Sequence, residues 1–245
     1  MTIMLLPFVS CSAKLPVYGL IASAFFDEYR GLIVLSLYAL GIVVGILTGI
    51  LFRHTLFREN RAAFVLELPP YRWPSMRNTL LHVGERVGHF LEKAGTIILL
   101  MSVVLWFLMH FTPALAMTAQ TERSILGVAG GWIAPLFRPL GFGTWQASVA
   151  LLSGLIAKEA VNSSLSMFLG ATGDALNGAL AGLFTPLAAY SFLVFVLLYV
   201  PCMAAVTTMR RELGSARHTW ITVGYQLLVA YVMALLVHML GSLFL

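Results

Sequence analysis

Four long stretches of this chain contain no Asp, Glu, Lys or Arg: Gly31 to Phe52, Ala94 to Thr121, Ala175 to Met209 and Thr219 to Leu245. Roughly 20 apolar residues in a helix cross the hydrocarbon core of a bilayer, and each run is long enough. A core helix of a soluble protein has no need of such lengths. The remaining composition agrees: 60% of the residues are hydrophobic and 10% are charged, against about 25% charged in soluble domains. The expected fold class is all-α, a polytopic membrane helical bundle whose first partner is the lipid bilayer. Met1 opens on an apolar stretch without a basic segment before it, so no cleavable signal pattern is read there. The net charge of +5 does not point to nucleic acid, because the basic residues lie between apolar runs and form no stripe with interleaved aromatics.

The charges between the runs set a topology. Arg53, Arg58, Arg61, Arg72, Arg77, Arg86 and Lys93 crowd one segment, and Arg210, Arg211 and Arg217 another. Both should face the cytoplasm. The stretch 170–183 holds only Asp174 and should lie outside. A simple crossing by Trp145 to Gly170 would put Arg210 and Arg211 outside. A re-entrant helical hairpin over that segment, with its tip near Ala157-Lys158-Glu159-Ala160, puts every loop where its charge belongs. Non-helical backbone at membrane depth survives only where protein or a water-filled cavity covers it, so the tip should be central. The alternative is one tilted span with a snorkelling lysine. Residues 75–93 have apolar Leu80, Val83, Val87, Phe90 and Leu91 at helical spacing, which suggests an interfacial helix on the cytoplasmic surface. The chain thus divides into 1–52, the end of a first repeat with two spans; 53–93, a cytoplasmic linker; and 94–245, a second repeat containing the hairpin.

The word repeat rests on an internal echo. Pro7 and Cys11 interrupt the first apolar run, and Pro201 and Cys202 interrupt a later one. Proline removes a backbone donor and clashes with the preceding turn. In the topology above these two runs point in opposite directions. Paired broken helices of opposite direction are the pattern of an inverted-repeat transporter with its site near the midplane.

The candidate site residues follow from the breaks. Cys11 and Cys202 stand beside them, and a thiolate is a good ligand for transition metals; equally, cysteine can be a small apolar helix residue. Lys14, Lys158 and Glu159 are charges within apolar runs, which are costly and usually functional. Glu159 can bind a cation or relay a proton. Lys158 can instead pair with Glu159 or another acid, and Lys14 can snorkel. Gly41, Gly45 and Gly49 share one helix face and suggest close helix packing. His82, His89, His110 and His238 fit interfacial positions. No Gly-Lys pair is present, so there is no nucleotide-binding P-loop, and no enzyme activity is expected of the chain.

Several stretches in order resemble one family. They are Pro7-Phe8-Val9-Ser10-Cys11-Ser12-Ala13-Lys14-Leu15-Pro16, Glu67-Leu68-Pro69-Pro70-Tyr71, Lys93-Ala94-Gly95-Thr96, Ala157-Lys158-Glu159-Ala160, Leu198-Tyr199-Val200-Pro201-Cys202 and Arg210-Arg211-Glu212. The chain is similar over essentially its whole length to the C-terminal membrane part of the ferrous iron transport protein B permeases. That resemblance implies Fe²⁺ uptake across the bacterial inner membrane, with Fe²⁺ as transported ion and no stably bound cofactor. It implies Cys11 and Cys202 in the metal path with Glu159 as a further candidate, and Pro7, Lys14, Pro16, Lys158 and Pro201 as structural parts of two gate segments. It also implies a cytoplasmic GTPase domain and earlier spans as partner, absent from this chain and supplied by another part or another chain; assembly as a homo-oligomer stays open. Two other functions compete: transport of an organic solute such as a nucleoside, and a non-transporting membrane scaffold.

Overall fold

The computed structural model describes residues 5, 8–55, 73, 75–114, 116–118, 120–170, 174–200 and 202–244. Pro7, Pro201, Arg58 and the stretch Glu67 to Tyr71 lie outside the described residues. Among the described residues the regular structure is helical: α1 (Leu15–Phe25), α2 (Arg30–Thr55), α3 (Met76–His110), α4 (Ile125–Phe137), α5 (Trp145–Ile156), α6 (Ala160–Leu169), α7 (Asp174–Leu183), α8 (Pro186–Leu198), α9 (Met203–Leu213) and α10 (Ala216–Phe244). The chain is an all-α membrane helical bundle.

Among the described residues two helices are long and apolar enough to cross a membrane alone, over 27–54 and 216–243. At 1.5 Å rise per residue α2 and α10 are about 40 Å long. Their outer faces carry exposed Leu35, Ile42, Ile46 and Ile50, and Leu228, Leu236, Met239 and Leu243. In water such surface would be anomalous; against lipid tails it is solvated.

α8 lies at the centre. Its residues from Phe192 to Leu198 are all buried, and it packs against α1, α2 and α10. A helix apolar all round has to be buried or lipid-facing, and here it is buried. Its start is fixed locally: Pro186 opens the first turn and the Thr185 hydroxyl accepts from the Ala188 N–H at 3.2 Å. α10 runs alongside it, with the Ser191 hydroxyl donating to the Ala234 carbonyl at 3.0 Å. Near the far end of this pair Gly141, at φ 87°, brings the backbone against His238 and Ala188. A side chain there would meet both a forbidden backbone region and occupied space.

The segment 145–170 consists of two short helices, α5 and α6, packed on each other. Each is under about 20 Å long, less than the roughly 30 Å hydrocarbon core, so neither half crosses alone. The Ser164 hydroxyl donates to the Ser153 hydroxyl at 2.8 Å, which donates to the Ala150 carbonyl at 2.8 Å. These bonds tie the two arms together near residues 157–159, the tip expected from the charges.

Three elements differ from the sequence reading. Residues 76–93 and the run beginning at Ala94 form one continuous helix, α3, and not two elements. Its amphipathic half runs into the apolar half with no proline between them. The stretch 122–143, to which the sequence reading assigns no helix, contains the whole helix α4, started by Ser124 accepting from the Gly127 N–H at 3.0 Å. The stretch 170–183, read as a loop, contains α7. It meets α8 at 96°, as α4 meets α5 at 105°. In both cases a Thr cap opens the second helix; the corner at Thr185 lies inside the charge-free run Ala175 to Met209, whereas Arg138 stands at the other.

Two parts of the chain follow the same plan. Cys11 precedes a short 3-10 turn (Ser12–Lys14), the 11-residue α1 and the long α2. Cys202 precedes the 11-residue α9 and the long α10. Both cysteines have extended ψ values, 162° and 161°, where the chain leaves a break and begins to coil.

Candidate functional site: a broken helix held by two lysines

α8 ends at Leu198 because the sequence gives it nothing to continue with. Position 201 is proline, which has no N–H for the carbonyl four residues back, that of Leu197. Tyr199 turns extended at φ −69°, ψ 171°, and Cys202 keeps the extended course at φ −58°, ψ 161°. Coiling then resumes: the Cys202 carbonyl accepts from the N–H groups of Ala205 at 2.9 Å and Val206 at 3.1 Å. Between the helices the backbone is covered by protein, with Tyr199 and Val200 both buried, as irregular backbone at membrane depth requires.

Two lysine ammonium groups occupy the break. Lys14 Nζ donates to the Leu197 carbonyl at 2.7 Å. Lys158 Nζ donates to the Val200 carbonyl at 2.9 Å and stands 3.2 Å from the centre of the Tyr199 ring, well inside cation–π range. Both lysines are buried, at 3% and 2% exposure. Neither figure fits a lysine that reaches out to the interface. Among the described residues no carboxylate pairs with Lys158, so its partners are a carbonyl and an aromatic face, not Glu159.

The energies nearly cancel. A lysine at the centre of a membrane helix costs about 2.5–3.5 kcal/mol on insertion scales. A hydrogen bond from a charged donor returns about 1.5–3 kcal/mol, and each bond also satisfies a carbonyl that the break would strand. The lysines are therefore not dispensable burdens on an otherwise complete helix. They substitute for the missing N–H groups of the break.

Tyr199 is positioned from the hairpin. Its hydroxyl donates to the Leu151 carbonyl of α5 at 3.5 Å. Gly154 leaves the room: a Cβ there would collide with the Tyr199 hydroxyl and, at 2.5 Å, with Val161 Cγ2 of α6. The first break is placed by the glycine face of α2. A Cβ on Gly41 would come within 2.7 Å of the Phe8 carbonyl and 3.5 Å of a Leu197 methyl, whereas one on Gly45 would sit in ordinary contact with Phe8 at 3.7 Å. Phe8 also meets the ring of Tyr225 on α10 edge-on at 6.2 Å.

Lys14 comes from the first break, three residues after Cys11, and Lys158 from the hairpin tip, and their bonds to the Leu197 and Val200 carbonyls bring both to the second break. Cys11 is exposed and Cys202 half-buried. Glu159 is exposed at the first residue before α6, and Pro16 stands in the first turn of α1. Among the described residues no group of three His, Cys, Asp or Glu side chains comes together to hold a metal. What the site offers is two thiols and main-chain oxygens, with cations already seated on the oxygens. The sequence reading passed over Leu197, Tyr199, Val200 and Gly154. The signal for Leu197 was available in the proline four positions later; the other three depend on the packing of the hairpin.

Known proteins resemble this chain over nearly its whole length. A family model described as "Ferrous iron transport protein B C terminus" matches residues 34–86. The Gate model, described as "Nucleoside recognition", matches residues 91–216. The Fe(2+) transporter FeoB of Staphylococcus aureus (strain COL) is 40% identical over 243 residues, which is 99% of this chain and 36% of that protein. The Fe(2+) transporter FeoB of Methanocaldococcus jannaschii is 38% identical over 250 residues, 99% of this chain and 37% of its own length. A Fe(2+) transport protein A/Fe(2+) transporter FeoB fusion protein of Porphyromonas gingivalis is 34% identical over 291 residues, again 99% of this chain. The chain thus spans little more than a third of the curated relatives it matches. No solved structure matches it. The chain belongs to the Gate family, in the form carried by the C-terminal membrane part of ferrous iron transport protein B.

Proposed function

We propose that this chain forms the C-terminal half of a pathway for Fe²⁺ through the bacterial inner membrane. The observation that carries the reading is the convergence of Lys14 and Lys158 on a broken helix, with Cys202 at the start of the helix that follows, in a chain 40% identical over 243 residues to a protein named an Fe(2+) transporter. Fe²⁺ sheds water at such a break when thiolates and main-chain oxygens replace it. A transport site also has to release its ion, so an open and incomplete ligand set serves better than a closed cage. Glu159, exposed beside the hairpin tip, would supply a carboxylate along the approach. The remaining part of the transporter, with a GTPase domain and the earlier spans, completes the path and gates it.

The test is Fe²⁺ uptake in a ferrous-transport-deficient strain expressing the complete transporter with this chain as its C-terminal part. Cys202→Ser and Cys11→Ser should each lower uptake several-fold at unchanged protein level, because serine keeps the size but is a far poorer ligand for iron. Full uptake by the double variant would reduce both cysteines to packing residues. The description of the Gate model favours a nucleoside as the competing cargo. Uptake of a labelled nucleoside by the same strain, with no Fe²⁺ uptake, would transfer the proposal to that solute.

A further inference from the structure

We infer that the carbonyls of Leu197 and Val200 are themselves ligands of the transported cation, and that Lys14 and Lys158 fill this main-chain site while no metal is bound. The inference rests on the transport reading above and identifies where within it the ion sits.

The break presents main-chain oxygens three residues apart, and both hold a cationic group, at 2.7 Å and 2.9 Å. Oxygens that bind ammonium at these distances bind a metal ion through the same lone pairs. The ring of Tyr199, 3.2 Å from Lys158 Nζ, adds an electron-rich face to the same pocket. Cys202 lies two residues beyond Val200 along the chain and is half-buried, which makes its thiol a reporter for the break. Among the described residues no side-chain cluster offers an alternative centre.

The two lysines also come from outside the segment that carries the oxygens. Lys14 ends a short 3-10 turn at the first break, and Lys158 lies at the hairpin tip between two helices. Neither belongs to α8 or α9. The ammonium groups reach the site from outside it, on long side chains, and can swing away without unwinding the helices that carry the oxygens. Two positive charges beside an entering divalent cation also repel it, so metal binding and lysine seating exclude one another. A lysine that caps a break permanently would instead hold the site shut to metal or leave it untouched.

The competition predicts a gain. In the complete transporter, purified in detergent under anaerobic conditions, Fe²⁺ should protect Cys202 from alkylation by N-ethylmaleimide, read at that residue by mass spectrometry. Lys158→Met and Lys14→Met keep the chain length but remove the charge. Each should lower the Fe²⁺ concentration giving half-protection by about tenfold or more, and each should raise Fe²⁺ flux into proteoliposomes without nucleotide. An unchanged or higher half-protection concentration, in protein that elutes as a single species, overturns the inference. So does loss of the folded species in both variants, which would make the lysines fixed props of the break. If Fe²⁺ neither protects Cys202 nor enters proteoliposomes with the unsubstituted protein, the transport reading itself falls and this inference with it.

Discussion

Gly154 decides how closely the hairpin approaches the broken helix. Its missing side chain is where the Tyr199 hydroxyl and Val161 meet, and Tyr199 in turn supports the Lys158 ammonium. Gly154→Leu puts a large side chain into filled space with no flexible neighbour to yield, because Tyr199 and Val161 are both buried. Overpacking of this kind costs about 1–3 kcal/mol. We expect the variant to melt several degrees lower in detergent than the unsubstituted chain. Equal melting temperatures would mean that the hairpin does not rest on Tyr199. At Thr185 the expected effect is smaller: removing the cap of α8 by Thr185→Ala costs about 1 kcal/mol, and a thermal shift assay should rank it below Gly154→Leu. The reverse ranking would indicate that α8 is held by its start and not by its packing.

At the level of elements, α2 and α8 come together through the glycine face of α2. Helices in lipid gain little from burying apolar surface against each other and depend on close packing. The closest approach is at Gly41, where the obstacle is the Phe8 backbone carbonyl. Gly41→Leu should therefore reduce the yield of folded protein strongly, and Gly45→Leu less, since a first carbon at Gly45 still finds 3.7 Å to Phe8. Size-exclusion profiles of the two variants check this; equal profiles would place the contact elsewhere on the helix. The glycine stripe was legible as a packing face from spacing alone, but not which glycine bears the contact. The break at 157–159 that divides α5 from α6 falls at the two charges Lys158 and Glu159. α7 was not legible: an uncharged run from Ala175 to Met209 has no charge to mark the corner at Thr185, and the corner exists through a hydroxyl cap.

For the whole molecule the loop charges make a direct statement about orientation. Position 211 should face the cytoplasm and position 174 the outside, with the α5–α6 hairpin entering and leaving on one side. Single cysteines at the two positions, in a chain lacking Cys11 and Cys202, should label from opposite sides of intact cells with an impermeant thiol reagent. Labelling from the same side would make the segment 145–170 an ordinary crossing.

The sequence by itself determined the solvent and the place where α8 breaks. Charge-free length specifies the bilayer, and proline specifies where a ladder loses its donor; each is a property of neighbours along the chain. Tertiary structure alone decided what the breaks hold. Lys14 reaches a carbonyl 183 residues away and Lys158 one 42 residues away, and nothing local distinguishes those partners from the carboxylate at position 159 or the membrane surface. The choice falls to the carbonyls because the folded helices carry them to the lysines under cover of protein. There a stranded oxygen and a buried ammonium each lack water, and each satisfies the other.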